Sequence, residues 1–216
     1  MTLQFEEVRP AAAPDHLFVF IHGYGADGND LIGLSQPMQQ LYPNALFLSP
    51  HAPDPCILNP MGRQWFPVYW LDGSDPAAMG RDFAKNTAMF DAWLTGQIAA
   101  SGVPDDRVVL LGFSQGCMVS LQTGPRREAQ LGAVLGFSGR LINPERLPAE
   151  KKTAPPILLV HGDADDVVPF DSLAAAESGL NAAGLNVETH VSKGMGHGIA
   201  PDGLQAAATF LQRHLR

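Results

Sequence analysis

Short apolar stretches recur along the chain between Gly, Pro and Ser residues. Six of them carry β-branched or aromatic residues, at 17–22, 45–49, 107–113, 133–138, 157–162 and 186–191. Continuous apolar runs of this length are typical of strands that are covered on both faces of a sheet. A seventh segment, 3–8, alternates polar and apolar positions, and we expect it to form an antiparallel edge strand.

Segments with helical spacing separate these strands. They cover 29–41, 81–101, 115–123, 171–183 and 203–214. Strands that alternate with helices predict a doubly wound α/β fold with a mostly parallel sheet of about seven strands. A chain of 216 residues can bury one core of that size, so we expect residues 1–216 to form a single domain.

Residues 50–80 interrupt this alternation with a proline-rich stretch that shows no sustained period. A loop of this length is uncommon inside a compact domain and is usually functional. Within it, the segment WFPVYW places four aromatic residues in six positions, 65–70. Two interpretations stay open for this cluster. It packs beneath the loop or at a dimer contact, or it forms the apolar wall of a substrate pocket.

The net charge and the hydropathy of the chain argue against a nucleic-acid partner and against a membrane protein. A net charge of −8 and a pI near 5.2 argue against a nucleic-acid partner, because phosphate binding needs clustered Lys and Arg. The N-terminus lacks the apolar segment of a signal peptide, and no run approaches the about 18 apolar residues of a membrane span. We therefore expect a cytoplasmic protein without a membrane span.

The cysteines and histidines show no metal-binding pattern. Cys56 and Cys117 fit no CxxC spacing and are expected to be reduced thiols. Cys117 lies three residues after Ser114, so a chemically exposed thiol is the alternative at that position. Because no HExxH or paired His-carboxylate spacing occurs, we expect neither a metal nor another cofactor.

A candidate nucleophile stands at the end of the third long apolar strand. The chain there reads Gly112-Phe113-Ser114-Gln115-Gly116, which is a GxSxG motif. In this motif a sharp turn between a strand and a helix lifts the serine hydroxyl above the sheet, and the glycines let strand and helix approach closely. The motif alone is weak evidence. Its position between a predicted strand and a predicted helix supports Ser114 as the nucleophile.

A serine nucleophile needs a base, and the base needs an acid that orients it. In an α/β-hydrolase sheet the acid and then the histidine follow the serine, on loops after later strands. The segments HGDADDVVP (161–169) and SKGMGHGI (192–199) stand where this order requires them. His197, between glycines, is the candidate base. Spacing does not decide whether Asp163, Asp165 or Asp166 is the acid.

The glycine-rich loop after the first long strand has a second interpretation. Gly23, Gly25 and Gly28 have the GxGxxG spacing of a dinucleotide-binding loop. That fold also needs an acidic residue near the end of the second strand, and the segment ALFLSP has none. A dinucleotide-binding protein is therefore disfavoured.

Together these motifs resemble the phospholipase/carboxylesterase family of small α/β hydrolases, which includes bacterial carboxylesterases and acyl-protein thioesterases. The resemblance covers about residues 4–214 and rests on FIHGYGADGND, GRQWF, GFSQG, HGDADDVVP and GMGHGI in the family's order. It implies an α/β-hydrolase fold without a separate cap domain. It also assigns the acid to Asp165, with Asp166 as the alternative, and the two backbone donors of an oxyanion hole to Tyr24 and Gln115.

Three features depart from the acyl-protein thioesterases of that family. Tyr24 stands where a leucine is common, Pro67 stands where an aspartate is common after Trp-Phe, and Cys117-Met118 replace small residues. Tyr24 bears on the shape of the pocket and leaves the backbone donor in place. The differences at Pro67 and at Cys117-Met118 argue against thioesterase specificity and leave ester hydrolysis untouched.

The sequence thus predicts a serine carboxylesterase that hydrolyses short- to medium-chain esters through a covalent acyl-enzyme. We expect a small-molecule ester as partner, and acyl-chain contacts from Met61, Trp65, Val168 and Met195. Simple core packing of these four residues is the alternative. The aromatic loop would also suit a homodimer. The alternatives are an acyl-thioesterase or lysophospholipase of the same fold, and a non-catalytic binding module.

Overall fold

A seven-stranded sheet forms the centre of the computed structural model, which describes residues 3–215. The strands along the chain are β1 Phe5–Val8, β2 His16–Ile21, β3 Ala45–Pro50, β4 Asp54–Pro55, β5 Arg63–Gln64, β6 Val108–Phe113, β7 Ala133–Phe137, β8 Ile157–Gly162 and β9 Val187–Ser192. The helices are α1 Gly28–Ile32, α2 Ser35–Gln39, α3 Tyr69–Asp72, α4 Pro76–Ser101, α5 Gln115–Thr123, α6 Leu147–Glu150, α7 Asp171–Ala182 and α8 Pro201–His214.

The strand order in the sheet is β1-β3-β2-β6-β7-β8-β9, while β4 and β5 pair separately. β1 runs antiparallel to β3, and the other neighbouring strands are parallel. This confirms the α/β-hydrolase fold with a mostly parallel sheet and an antiparallel edge at β1. The single domain expected for residues 1–216 stays a prediction, which the single large sheet supports.

Both faces of the central strands are covered. In β2, Leu17, Val19 and Ile21 pack into the core on the side of α4, whereas Phe18 and Phe20 pack into the core that includes α8. Successive side chains of a strand point to opposite faces, so a strand buried on both faces reads as a continuous apolar run. The same two-sided burial explains the apolar runs of β3, β6, β7 and β8.

The predicted helix 29–41 is wrong as a single element. The structure divides it into α1 and α2, with a break at residues 33–34. Pro37 is the physical reason, because a proline inside a continuous helix loses the hydrogen bond to the carbonyl four residues earlier. By starting a new helix at Ser35, the chain places Pro37 in a first turn, where its missing N–H costs little.

The long loop is shorter and more ordered than the sequence predicts. Its last five residues belong to α4, which begins at Pro76 instead of residue 81. The Asp75 carboxylate accepts the Ala77 N–H, and proline follows directly, which is a favoured helix start. Earlier in the loop, β4 and β5 form a short antiparallel pair and α3 forms one turn.

The glycine at position 116 is required by a close backbone contact. A Cβ atom added there would lie 1.8 Å from the carbonyl oxygen of Ile21. We expect Gly116→Ala to lower the free energy of unfolding by more than the about 1–3 kcal/mol that is usual for overpacking, because backbone and not a flexible side chain must move. Urea unfolding followed by circular dichroism measures this change.

Gly96→Ala provides the matched control, because Gly96 is exposed in α4 and an added Cβ there meets no atom within 4 Å. That substitution should raise the free energy of unfolding by about 0.5–1 kcal/mol through helix propensity. Equal stability of Gly116→Ala and the wild type would contradict the close approach of α5 to β2.

Candidate active site

Ser114 occupies the sharp turn between β6 and α5. Its backbone has φ 55° and ψ −115°, a conformation that non-glycine residues rarely adopt. The Ser114 N–H donates a hydrogen bond to the Phe137 carbonyl at 2.8 Å, which ties the turn to the neighbouring strand β7. Strain of this kind persists where the surroundings hold the residue in place and is concentrated at functional sites.

His197 and Asp165 meet beside this turn. Nδ1 of His197 lies 2.8 Å from Oδ2 of Asp165. The other carboxylate oxygen, Oδ1, accepts the N–H groups of Val167 at 3.0 Å and Val168 at 2.9 Å. Burial alone would raise the pKa of Asp165, but the hydrogen bonds from His197 and the Val168 N–H outweigh it and hold the pKa below its usual value. The carboxylate therefore faces the imidazole in its ionised form.

The structure separates the three aspartates that spacing leaves equivalent. Asp165 is buried and contacts His197, whereas Asp166 is exposed. Asp163 accepts the Gly194 N–H at 2.6 Å and pairs with Lys193 at 3.2 Å. Asp163 thus joins its own loop to the loop that carries His197.

The two loops are also joined through their backbones. The Ala164 N–H donates to the Met195 carbonyl at 3.0 Å. A Cβ at Gly162 would lie 2.2 Å from that same oxygen, so the glycine at the end of β8 permits the contact. Because β8 and β9 are parallel neighbours, their carboxyl ends present Asp165 and His197 at one edge of the sheet.

A cavity of ≈ 140 Å³ opens in front of Ser114 and His197. Its other lining residues are mostly apolar and include Val68, Trp70, Leu71, Met118, Val167 and Val168. Pockets for drug-sized ligands have about 300–1,000 Å³. The cavity is therefore suited to a small group.

Of the four residues predicted to line an acyl pocket, Val168 is the one that lines this cavity. Met61 is 90% exposed at the tip of its loop, and Trp65 is completely buried. The half-buried Met195 packs its terminal methyl towards Gly198. Met61, Trp65 and Met195 do not line this cavity, because position in a loop does not determine the direction of a side chain.

The aromatic cluster 65–70 is divided between residues that pack in the core and residues that are partly exposed on α3. The Trp65 indole N–H donates to the His22 carbonyl at 3.1 Å, and Phe66 packs edge-on against Phe83 at 5.1 Å between ring centroids. Both therefore belong to the core beneath the loop. Tyr69 and Trp70 lie on α3 and are 45% and 38% exposed. The interpretation of this cluster as a pocket wall included Trp70 without singling it out, whereas Leu71, which also lines the cavity, was not predicted.

Tyr24 and Gln115 both line the cavity together with Ser114. The loop that carries Tyr24 is held by its side chain. The Tyr24 hydroxyl donates to Oδ2 of Asp72 at 3.0 Å, and the same oxygen accepts the Val68 N–H at 2.8 Å. Burial, followed by hydrogen bonds with Cys56 and Asp72, raises the pKa of Tyr24, so the phenol remains a neutral donor.

His22 fixes the peptide group that bears the Tyr24 N–H. Burial lowers the pKa of His22 to about 4, so its imidazole is neutral. Nδ1 of His22 lies 2.7 Å from the Gly23 carbonyl oxygen, while Nε2 accepts the Ala52 N–H at 3.0 Å. The proton is therefore on Nδ1 and is donated to Gly23. The carbonyl of Gly23 and the N–H of Tyr24 share one planar peptide group, and this bond sets its orientation.

The Gln115 side chain binds the backbone of the loop that carries Trp65 and Phe66. Its Oε1 accepts the Trp65 N–H at 3.0 Å, and its Nε2 donates to the Phe66 carbonyl at 2.6 Å. Asn86 of α4 donates to the Trp65 carbonyl at 2.7 Å. These hydrogen bonds therefore tie the start of α5 to residues 65 and 66 and to α4.

Cys117 is buried beneath the motif, and burial raises the pKa of its thiol to about 12. The alternative of a chemically exposed thiol at this position is wrong. Cys56 and Cys117 are both free cysteines, as predicted.

Among residues 3–215, no three His, Cys, Asp or Glu side chains converge on a metal-binding position. None of the helices in that range has both the length and the hydropathy needed to cross a membrane.

Comparison with known proteins gives matches along the whole chain. A family model described as phospholipase/carboxylesterase matches residues 4–215. The chain is 28% identical to acyl-protein thioesterase 1 of Gibberella zeae, over 91% of this chain and 89% of that protein. It is 29% identical to esterase YpfH of Escherichia coli, over 94% of this chain and 84% of that protein. A crystal structure of esterase PE8 matches with a TM-score of 0.93 and 39% identity, covering 100% of both chains.

Proposed function

The chain belongs to the phospholipase/carboxylesterase family, and we propose that it is a serine carboxylesterase that hydrolyses esters of short-chain carboxylic acids. The observation that carries this proposal is the hydrogen bond between His197 and Asp165 at the cavity that Ser114 also lines. A nucleophile, a base and an orienting acid are the groups that acyl transfer to water requires. The small volume of the cavity favours a short acyl chain.

In the proposed acylation step, Oγ of Ser114 attacks the ester carbonyl carbon. The bond from Oγ to carbon forms while Nε2 of His197 takes the hydroxyl proton, and Asp165 stabilises the resulting imidazolium. The tetrahedral intermediate then collapses and the bond from carbon to the alkoxy oxygen breaks. His197 returns its proton to that oxygen, so the alcohol leaves and an acyl-serine remains.

The deacylation step repeats this sequence with water. His197 takes a proton from a water molecule that attacks the acyl-serine carbonyl. The second tetrahedral intermediate releases Ser114, which regains its proton from His197, and the carboxylic acid leaves. One ester and one water thus yield one acid and one alcohol.

The oxyanion of both intermediates would be bound by the backbone N–H groups of Tyr24 and Gln115. Donors that are already oriented stabilise developing charge without reorganisation during the reaction. The hydrogen bonds from His22 to Gly23 and from Tyr24 to Asp72 support this role, because they hold the first donor's loop in place. The side-chain bonds of Gln115 to the backbone of residues 65 and 66 hold the start of α5.

The chain-length preference tests the proposal directly. We expect kcat/KM on p-nitrophenyl acetate and butyrate to exceed that on the octanoate by about tenfold or more, because ≈ 140 Å³ leaves little room for a longer chain. The assay uses purified protein and includes the palmitate ester and acetyl and palmitoyl thioesters.

The alternatives give different results in the same assay. A preference for octanoate or longer esters would contradict the short acyl group, and faster cleavage of palmitoyl thioesters would favour a thioesterase. Absence of turnover on every ester and thioester would contradict the hydrolase and leave a non-catalytic binding module.

A further inference from the structure

A second cavity adjoins the catalytic one, and Trp70 lies between them. This second cavity has ≈ 300 Å³, about twice the volume in front of Ser114, and Trp70 lines both. Its other lining residues come from α4 and from the segment after β7, and include Met79, Phe83, Leu141 and Ile142. Trp70 is thus a wall residue that the two cavities share.

One cation lines this second cavity. The guanidinium carbon of Arg140 lies 5.0 Å from the centroid of the Trp70 ring, which is a cation–π distance. Arg140 is half-buried, and no carboxylate in the described part of the chain lies within ion-pairing distance of it. Arg126 and Arg146, farther along the same surface, both pair with Glu150. Asp171 shares a further surface cavity with Arg140 but does not pair with it.

We propose that Arg140 binds a carboxylate or phosphate group of the substrate, whose apolar stem passes over Trp70 while its ester bond lies at Ser114. This inference rests on the proposed function and specifies its substrate class as esters that carry one anionic group. Guanidinium is always charged and presents a planar fork of donors that matches carboxylate and phosphate oxygens. An aromatic wall followed by one cation is a site for an apolar group that ends in an anion.

The charges around the two cavities favour an anionic group at Arg140 over one beside Ser114. Asp30 lines the catalytic cavity. The carboxylates of Asp72 and Asp165 also lie near that cavity. In a chain with a net charge of −8, an anionic group is repelled from this side and attracted to Arg140.

Matched ester pairs that differ in one charge test the inference. Monomethyl adipate against dimethyl adipate places the charge on the acyl side of the ester bond. The anion 4-acetoxybenzoate against its methyl ester places the charge on the alcohol side. The readout is the ratio of kcat/KM for the charged ester to kcat/KM for the neutral ester, measured for wild type, Arg140→Gln and Arg140→Lys at low and high salt.

In at least one pair we expect Arg140→Gln to lower this ratio about tenfold, the effect of losing one hydrogen bond to a charged group. Arg140→Lys should retain most of the ratio, and high salt should reduce the difference between variants. Arg213→Gln is the charge-matched control, since Arg213 pairs with Glu188 and should leave the ratio unchanged. The pair that responds identifies which side of the ester faces Arg140.

An unchanged ratio in both pairs for Arg140→Gln would overturn the anion site, even if both esters are hydrolysed. Thermal unfolding checks that the variant is folded. If Arg140→Gln is not folded, the measurement on this variant is replaced by competitive inhibition of the wild type by benzoate and by benzamide. Equal inhibition by the two compounds overturns the inference. Loss of all ester turnover in the wild type is a different result, which would overturn the proposed function and this inference together.

Discussion

Ser114→Ala is expected to lower kcat on p-nitrophenyl acetate by about 10⁴- to 10⁶-fold, the range found when the nucleophile of a serine triad is removed. Alanine lacks the oxygen that would form the acyl-serine, and no other hydroxyl occupies the turn between β6 and α5. The cavity and the backbone N–H groups stay in place, so residual turnover above the uncatalysed rate is expected. The residual rate of Ser114→Ala and the uncatalysed rate are both measured from the release of p-nitrophenol, in continuous and in stopped assays.

The control for this variant lies in the same helix. Ser120 is buried in α5, and its hydroxyl donates to the Gly116 carbonyl at 2.8 Å without lining the cavity. Ser120→Ala should retain wild-type kcat within about threefold, because loss of one such bond has a small net effect. A fluorophosphonate should add its mass to wild type and Ser120→Ala but not to Ser114→Ala. Equal activity of Ser114→Ala and wild type would contradict the serine mechanism.

Asp165→Asn is expected to lower kcat by about 10³- to 10⁴-fold, as in serine triads where the same change imposes the wrong histidine tautomer. The geometry at this site explains the size of the effect. Oδ1 of Asp165 accepts two backbone N–H groups, so the amide oxygen of an asparagine would occupy that position. Its NH₂ group would then face Nδ1 of His197, which would have to accept a hydrogen bond. The ring proton would move to Nε2, and His197 could not take the proton of Ser114.

The neighbouring aspartates provide matched controls for this prediction. Asp166 is exposed, and Asp166→Asn should retain wild-type kcat within about twofold, because surface substitutions usually have small effects. The pH dependence of kcat/KM should differ between Asp165→Asn and wild type and should not differ for Asp166→Asn. A larger loss of kcat in Asp166→Asn than in Asp165→Asn would contradict the assignment of the acid.

The periodic elements of this protein could be predicted from the sequence because they depend on local patterns. The strands β2, β3, β6, β7 and β8 lie within one residue of their predicted bounds at each end, since a strand covered on both faces must be apolar along its length. The break between α1 and α2 and the early start of α4 were missed. Their causes, Pro37 and the Asp75-Pro76 pair, were visible in the sequence and were outweighed by hydrophobic spacing.

The sequence by itself determined the fold class, the family resemblance, and Ser114 and His197 as candidates, because a strand-turn-helix motif and the order of the motifs along the chain are one-dimensional properties. The contact between Asp165 and His197, the burial of Trp65 and the exposure of Met61 were decided by the tertiary structure alone. The same is true of Arg140 against Trp70, which are seventy residues apart in the chain. These features depend on which way a side chain points and what it meets, and both are set by packing between segments that are distant in sequence.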